Sequence, residues 1–208
     1  IMVNLNHPTL IPNDAYELVT KLINNMNIVL TQIVPGLKIG VKNLGNELSA
    51  DSTVRTKIEI VSLKNSKEIP LKYESEGIKK IISILQLLIV LYNKASITVA
   101  VDEFDSGVFE YLLGEMLRII SEKGKGQLIF TSHNLRPLET LDKSFIAFTT
   151  TNPDNRYIRF TNIKTNNNLR DFYYRDIVLG EQNEPVYEPT NNYEIALAFR
   201  EAGELSGS

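Results

Sequence analysis

The segment from Ile97 to His133 constrains the fold more than any other part of the chain. Ile97–Val101 is a short buried-strand run that closes on Asp102 and Glu103. Gly107 to Lys123 is amphipathic, with Phe109, Leu112, Leu113, Met116 and Ile120 predicted on one face, and Gly124-Lys125-Gly126 ends it. Gln127–Thr131 is a second buried-strand run, and it leads into Ser132 and His133. A strand, helix, strand crossover is right-handed and makes its two strands parallel. Asp102, Glu103, Ser132 and His133 are therefore predicted to emerge together at one carboxyl edge of a sheet, the edge where open α/β sheets bind ligands.

The surroundings extend this pattern. Asn13 or Asp14 caps a predicted helix to about Ile33, because Leu18, Leu22, Ile23, Met26, Val29, Leu30 and Ile33 recur at helical spacing before Pro35-Gly36. Leu37–Leu44 and Val54–Leu63 alternate by twos, as a hairpin or meander does. A helix opens at Ser75-Glu76-Gly77 and runs to about Asn93, apolar nearly all round. Leu135–Leu141 reads as a short helix and Phe145–Thr149 as a third strand. Beyond Asn152 the pattern weakens to an edge strand at Tyr157–Thr161, a polar loop at Asn166–Asn168, and helices at Leu169–Leu179 and Tyr193–Ala202. The expected class is α/β: a mostly parallel sheet flanked and covered by helices, with an N-terminal helix and antiparallel strands. Residues 1–70 form the helix-plus-antiparallel part and residues 71–208 the α/β lobe.

Composition excludes several functions. The absence of cysteine removes disulfides, thiolate zinc sites and cysteine nucleophiles, and two histidines, His7 and His133, cannot build a multi-histidine metal centre. A net charge of −3 provides no global basic field for a nucleic-acid backbone. The greasiest stretch, Ile81–Tyr92, falls short of the roughly 20 apolar residues a membrane helix needs, so no membrane association is expected. The first residues lack the basic start and cleavage site of a secretory leader, which leaves a cytoplasmic location as the expectation.

Paired acids at the tip of a buried strand suit a magnesium nucleotide. Asp102 can hold the metal's water shell, Glu103 can orient and deprotonate a water, and His133 can donate to a terminal phosphate. Each feature alone is what an ordinary strand end or helix cap would show; their convergence on one edge is what points to chemistry.

Ile97-Thr-Val-Ala-Val-Asp-Glu103 resembles the Walker B segment of ABC-type ATPases, with Asp102 as the magnesium-side aspartate and Glu103 as the catalytic glutamate. Phe104-Asp105-Ser106-Gly107 falls where the family has its D-loop, and Leu128–His133 resembles the switch-histidine strand. Ser75-Glu76-Gly77 stands where the signature motif lies, although Glu74 and Ile78 replace its usual Leu and Gln. The resemblance, over about Lys72 to Thr149, is to the C-terminal half of AAA-like prokaryotic ATPase heads related to SMC and overcoming-lysogenization-defect proteins. It implies ATP and magnesium as cofactors, a head-to-tail homodimer, and coupling to DNA or an effector nuclease. Ser75 and Gly77 would bind the γ-phosphate held by the opposite protomer, aided by free helix N-terminal amides. Asp105 and Ser106 would bind at that dimer interface as cofactor-binding residues, or else cap the helix that follows.

No Gly-x-x-x-x-Gly-Lys-Ser/Thr phosphate-binding loop occurs in the chain. Together with the Ile-Met start, this leads to the expectation of a fragment whose N-terminal lobe is elsewhere, unable by itself to bind ATP tightly or hydrolyse it. A second reading makes Asp102, Glu103 and Asp105 the metal ligands of a nuclease or phosphotransferase, with Glu59 as a further acid. A third is a non-catalytic interaction module. Arg136 can touch phosphate or simply begin a helix, and Arg170–Arg175 can grip nucleic acid or pack its rings on the sheet; His7 reads as a surface residue.

Overall fold

The structure, a computed structural model, describes residues 3–49, 53–64, 67–160, 168–180, 182–188 and 190–206. These fall into two compact units, residues 1–137 and 138–208.

The first unit is built on helix α1 (Ala15–Ile33), whose buried stripe is Ala15, Val19, Ile23, Met26 and Leu30. That stripe is displaced from the one the sequence predicts: Leu18 is exposed and Leu22 half-buried. It packs on an antiparallel sheet of β1 (Thr9–Pro12), β2 (Lys38–Leu48), β3 (Val54–Lys64) and β4 (Lys67–Pro70). Strand β3 pairs with β2 along one edge and with β1 and then β4 along the other. Being central, it buries Thr56, Ile58, Ile60, Val61 and Ser62. Asn27 fastens helix to sheet: its amide donates to the Ile39 carbonyl and accepts from the Ile39 N–H, both at 2.8 Å. Such reciprocal bonds satisfy backbone groups that would otherwise be costly to bury. Strands β1 and β4 are absent from the sequence reading, since each is only 4 residues long and carries a proline.

Helix α2 (Glu76–Asn93) buries Gly77, Ile81, Ile82, Ile84, Leu85, Leu88 and Leu91. It is apolar on several sides because it meets both α1 and the strand that follows it, β5 (Thr98–Val101). Its entry is fixed by an ion pair between Lys64 and Glu74, 2.7 Å apart, with the Glu74 side chain 8% exposed. Burial pushes the Glu74 carboxyl upward, but hydrogen bonds from Lys64 and Ser62 and the lysine charge outweigh it and hold the group below the usual range. A carboxylate depressed in the folded state contributes stability above its unfolded value of about 4.3, and that contribution disappears as pH falls through the folded value. Urea unfolding between pH 3 and 6 should therefore show a decline on acidification that is shallower in Glu74→Gln.

Helix α3 (Glu110–Lys123) crosses from β5 to β6 (Gln127–Phe130), and the two strands pair in parallel with Val99 opposite Leu128 and Val101 opposite Phe130. The crossover is as predicted. The α3 face differs: Leu113, Gly114, Met116 and Leu117 are buried, whereas Phe109 is 73% exposed. Phe109 lies outside the helical period because Gly107, at φ +69°, turns the backbone just before it.

The expectation of a mostly parallel, fully covered sheet is not met. Among the described residues, parallel pairing is confined to β5 and β6, and one face of that pair, with Thr98, Ala100, Gln127 and Ile129, lies open. The third predicted strand contributes only β7 (Phe148–Thr149), paired antiparallel with β8 (Tyr157–Ile158) in the second unit. The cause is local. Asp142 accepts from the Ser144 N–H and winds Lys143–Phe145 into a 3-10 turn, so extended backbone begins late.

The second unit holds this hairpin with α5 (Leu169–Leu179) and α6 (Asn192–Ser206); the short α4 (Pro137–Thr140) lies at the boundary between the units. Phe148 stacks on Phe160 at 3.9 Å and on Tyr173 at 5.3 Å, Phe172 is buried beside them, and Arg175 lies 4.8 Å above the Phe172 ring. Arg170 pairs with Glu139 at 3.0 Å. The aromatic-basic segment thus packs its rings. Thr161 and the loop residues 166 and 167 lie outside the described residues; Asn168 caps α5. No described helix is long and apolar enough to cross a membrane.

Candidate functional site

The parallel register of β5 and β6 brings the predicted acids and the histidine to one edge. Glu103 Oε1 lies 4.0 Å from His133 Nε2, an ion pair only when the imidazole is protonated. Both side chains are open to solvent, 56% and 88% exposed, so water and ligand can reach them. Asp102 is also exposed, and its Oδ1 accepts a hydrogen bond from the Thr131 hydroxyl.

Glu103 has φ +47°, the one positive value at a non-glycine among the described residues. For a residue with a long side chain this left-handed conformation costs about 1 kcal/mol or more and persists only where neighbours enforce it. Here they do. The Glu103 N–H donates to Thr131 Oγ1 at 2.8 Å, the Phe104 N–H to the Thr131 carbonyl at 3.0 Å, and the Thr131 N–H to the Val101 carbonyl at 3.2 Å. Phe104 anchors the turn from below, 1% exposed and 5.5 Å from the Phe130 ring. Lys80, from α2, donates to the Asp102 carbonyl at 2.8 Å.

Asp105 joins the turn after β5 to the turn after β6. Its Oδ2 accepts from the N–H groups of His133 at 3.2 Å and Asn134 at 2.9 Å. Ser106 is exposed beside it, and its N–H donates to the Glu103 carbonyl at 3.0 Å. Asn134 in turn accepts from the Arg136 N–H at 2.7 Å, closing the loop that carries the histidine.

Ser75 is the N-cap of α2 and accepts from the Ile78 N–H at 3.3 Å. Serine favours this position because its oxygen satisfies one of the free amides of the first turn. Its hydroxyl is exposed and belongs to the helix start. Gly77 is connected to the cluster of the acids and the histidine through its backbone: a Cβ added there would lie 1.9 Å from the Gly107 carbonyl oxygen, so the start of α2 rests directly on the turn containing Asp105 and Ser106. Glu74, where the signature has leucine, is the partner of Lys64.

The acids of the nuclease reading do not converge. Among the described residues no group of three or more histidine, aspartate and glutamate side chains could hold a metal together. Asp105 is turned onto backbone amides, and Glu59 sits on β3 opposite Lys42 in the antiparallel sheet. His7 is exposed near the start, as expected. The sequence reading missed Thr131, Lys80 and the contact between Gly77 and Gly107. A threonine at a strand end and a lysine on a helix carry no signal without the pairing register that places them.

No protein-family model matches the chain, and no curated protein resembles it closely enough in sequence to count as a relative. Solved structures do resemble it. An SMC ATPase from work on ATP-driven dimerization and DNA-stimulated activation superimposes with a TM-score of 0.54 at 11% identity, covering 82% of this chain and 99% of that one. The Smc head bound to the C-winged helix domain of ScpA gives 0.44 at 14% identity, over 59% of this chain and 37% of that one. The Smc head with coiled coil and joint from Pyrococcus yayanosii gives 0.48 at 15% identity, over 69% of this chain and 27% of that one. The chain thus spans well under half the length of these last two. Its fold resembles that of an SMC head domain.

Proposed function

We propose that the chain is the C-terminal lobe of an ABC-type ATPase head that binds and hydrolyses MgATP and acts as a head-to-tail homodimer. The observation that carries this reading is the edge formed by β5 and β6, where Asp102 and Glu103 meet His133 with Glu103 held in a strained backbone conformation. Strain of this kind concentrates at working sites.

The residues fit the group they would serve. Asp102, exposed and hydrogen-bonded through one oxygen to Thr131, suits a water-mediated contact to magnesium, which when bound neutralises phosphate charge. Glu103 accepts a proton from water as the water oxygen bonds to the γ-phosphorus and the bond to the bridging oxygen of ADP breaks. His133 donates to the terminal phosphate. Ser75 and Gly77, at the start of α2, serve the γ-phosphate held by the opposite protomer, and Asp105 and Ser106 face that interface.

The phosphate-binding loop must come from outside this chain, in an N-terminal lobe. The open face of β5 and β6 supports that arrangement, because parallel strands are stable when both faces are covered. DNA or an effector nuclease is the proposed partner. DNA-stimulated activation of the structurally similar SMC ATPase supports the former.

The test is to supply the whole protein with MgATP and measure ADP release together with mass by light scattering. Turnover with ATP-dependent dimerisation is expected. Absence of both overturns the reading in favour of a non-catalytic module.

A further inference from the structure

We propose that Thr131 is a positioning residue for hydrolysis: its hydroxyl bridges Glu103 and Asp102 and holds both acids in working geometry. The inference rests on the ATPase reading above and adds to it a residue on the opposite strand.

Three observations carry it. First, Thr131 Oγ1 is used in both directions, accepting from the Glu103 N–H at 2.8 Å and donating to Asp102 Oδ1. One hydroxyl has a single proton and two lone pairs, so this satisfies a backbone donor and a carboxylate acceptor at once. Secondly, the acceptor half of the bridge falls on the residue whose backbone is left-handed, φ +47° at Glu103. The N–H of a left-handed residue points away from the strand ladder and needs a partner from elsewhere. Thirdly, the backbone of Thr131 is tied to the same turn, through its carbonyl to Phe104 and its N–H to Val101. The side chain is thus held at fixed distance from the turn that it braces.

Lys80 and Asp105 also touch this neighbourhood, but at other points. Lys80 reaches the Asp102 carbonyl, and Asp105 reaches the amides of His133 and Asn134. Neither contacts the Glu103 N–H or the Asp102 carboxylate. Thr131 alone among the described side chains joins the general-base residue to the metal-side aspartate. Removing its hydroxyl leaves the Glu103 N–H without that acceptor and Asp102 Oδ1 without that donor. The Glu103 turn is then free to relax toward ordinary backbone, which re-aims the carboxylate. Displacement of a catalytic group by about 1 Å costs on the order of 100-fold in rate.

Thr131→Val keeps the branched shape and removes the hydroxyl; Thr131→Ser keeps the hydroxyl. In the whole protein, Thr131→Val should lower kcat for ATP by about 10–100-fold with KM and ATP affinity within about 3-fold of wild type, and Thr131→Ser should restore most of kcat. Hydrogen exchange at the Glu103 amide should be faster in Thr131→Val and unchanged in Thr131→Ser. If the valine variant does not fold, Thr131→Ala is measured against the same serine control. Glu103→Gln runs alongside. Wild-type kcat in Thr131→Val while Glu103→Gln is inactive overturns the positioning role and leaves the ATPase reading intact. Equal, non-zero turnover in wild type and Glu103→Gln removes Glu103 from the mechanism and the positioning role with it, and no turnover in either overturns the ATPase reading.

Discussion

Replacing Glu103 by glutamine is expected to lower MgATP turnover by the whole protein about 100- to 10,000-fold while leaving ATP binding within a few-fold of wild type. The substitution preserves size and hydrogen-bonding reach and removes only the capacity to accept a proton. Structurally it should be nearly silent. The turn at Glu103 is held through its N–H, by Thr131, and through Phe104 beneath it, not through the carboxylate. The carboxylate itself is more than half exposed, with the His133 imidazole nitrogen 4.0 Å away. A side chain with so little structural duty, on a backbone held at a cost, is placed for work on something that arrives from solvent. Single-turnover assays and equilibrium ATP binding on the same preparation separate the two effects. Retained turnover in the variant removes Glu103 from the mechanism, and lost binding together with lost turnover assigns it to holding the nucleotide. If binding survives, ATP should also accumulate the dimer, because the step that reopens it is blocked.

The second large effect is structural. Gly77→Ala is expected to destabilise the fold by about 3 kcal/mol, lowering the melting temperature by roughly 6–12 °C. Two effects oppose each other. Alanine is the better helix former by about 1 kcal/mol, and Gly77 is in the first turn of α2. Against this, the new Cβ would sit 1.9 Å from the Gly107 carbonyl oxygen and 2.6 Å from its carbon. The obstacle is backbone, and it cannot easily yield: Gly107 is at φ +69°, and the adjoining turn is closed by the Val108 N–H on the Asp105 carbonyl at 2.9 Å. The clash therefore wins. Thermal unfolding by circular dichroism measures it; an unchanged or raised melting temperature would show that the two turns are not in contact. A glycine in this place answers to close packing whether or not it also meets a phosphate.

Much of the architecture can be read from the sequence, and the reasons differ by region. The crossover from Ile97 to His133 is legible because buried strands and an amphipathic helix leave clear periods and because handedness fixes the rest. The β2–β3 meander is legible through its alternation. The antiparallel flanks of β3 are not, since strands of four residues with a proline carry little pattern. Phe109 misled because helical spacing continues through it while Gly107 breaks the backbone before it. The supposed third parallel strand was lost to Asp142, whose cap is a single side-chain bond that no hydrophobic pattern reports. At the site, Asp102, Glu103 and His133 announce themselves by type and by edge. Thr131 does not, because its meaning lies wholly in which residue stands opposite it across the ladder.

The two sheets of the first unit differ in how they are anchored. Strand β3, 11 residues long, pairs with β2 along one edge and with β1 and β4 along the other, and lies in the main hydrophobic core with α1 and α2. The pair β5–β6 has four residues in each strand, one open face and, among the described residues, no third strand. The antiparallel layer is the more deeply anchored part, and β5 and β6, which lead into Asp102, Glu103 and His133, are where local opening is expected to cost least. Amides of β3 should then be the last to exchange with solvent and those of β5 and β6 among the earliest of the strand amides. A binding partner that covers the open face would slow the exchange of β5 and β6 selectively and leave β3 unchanged. Covering the open face would then also stiffen the strands that lead into the candidate site.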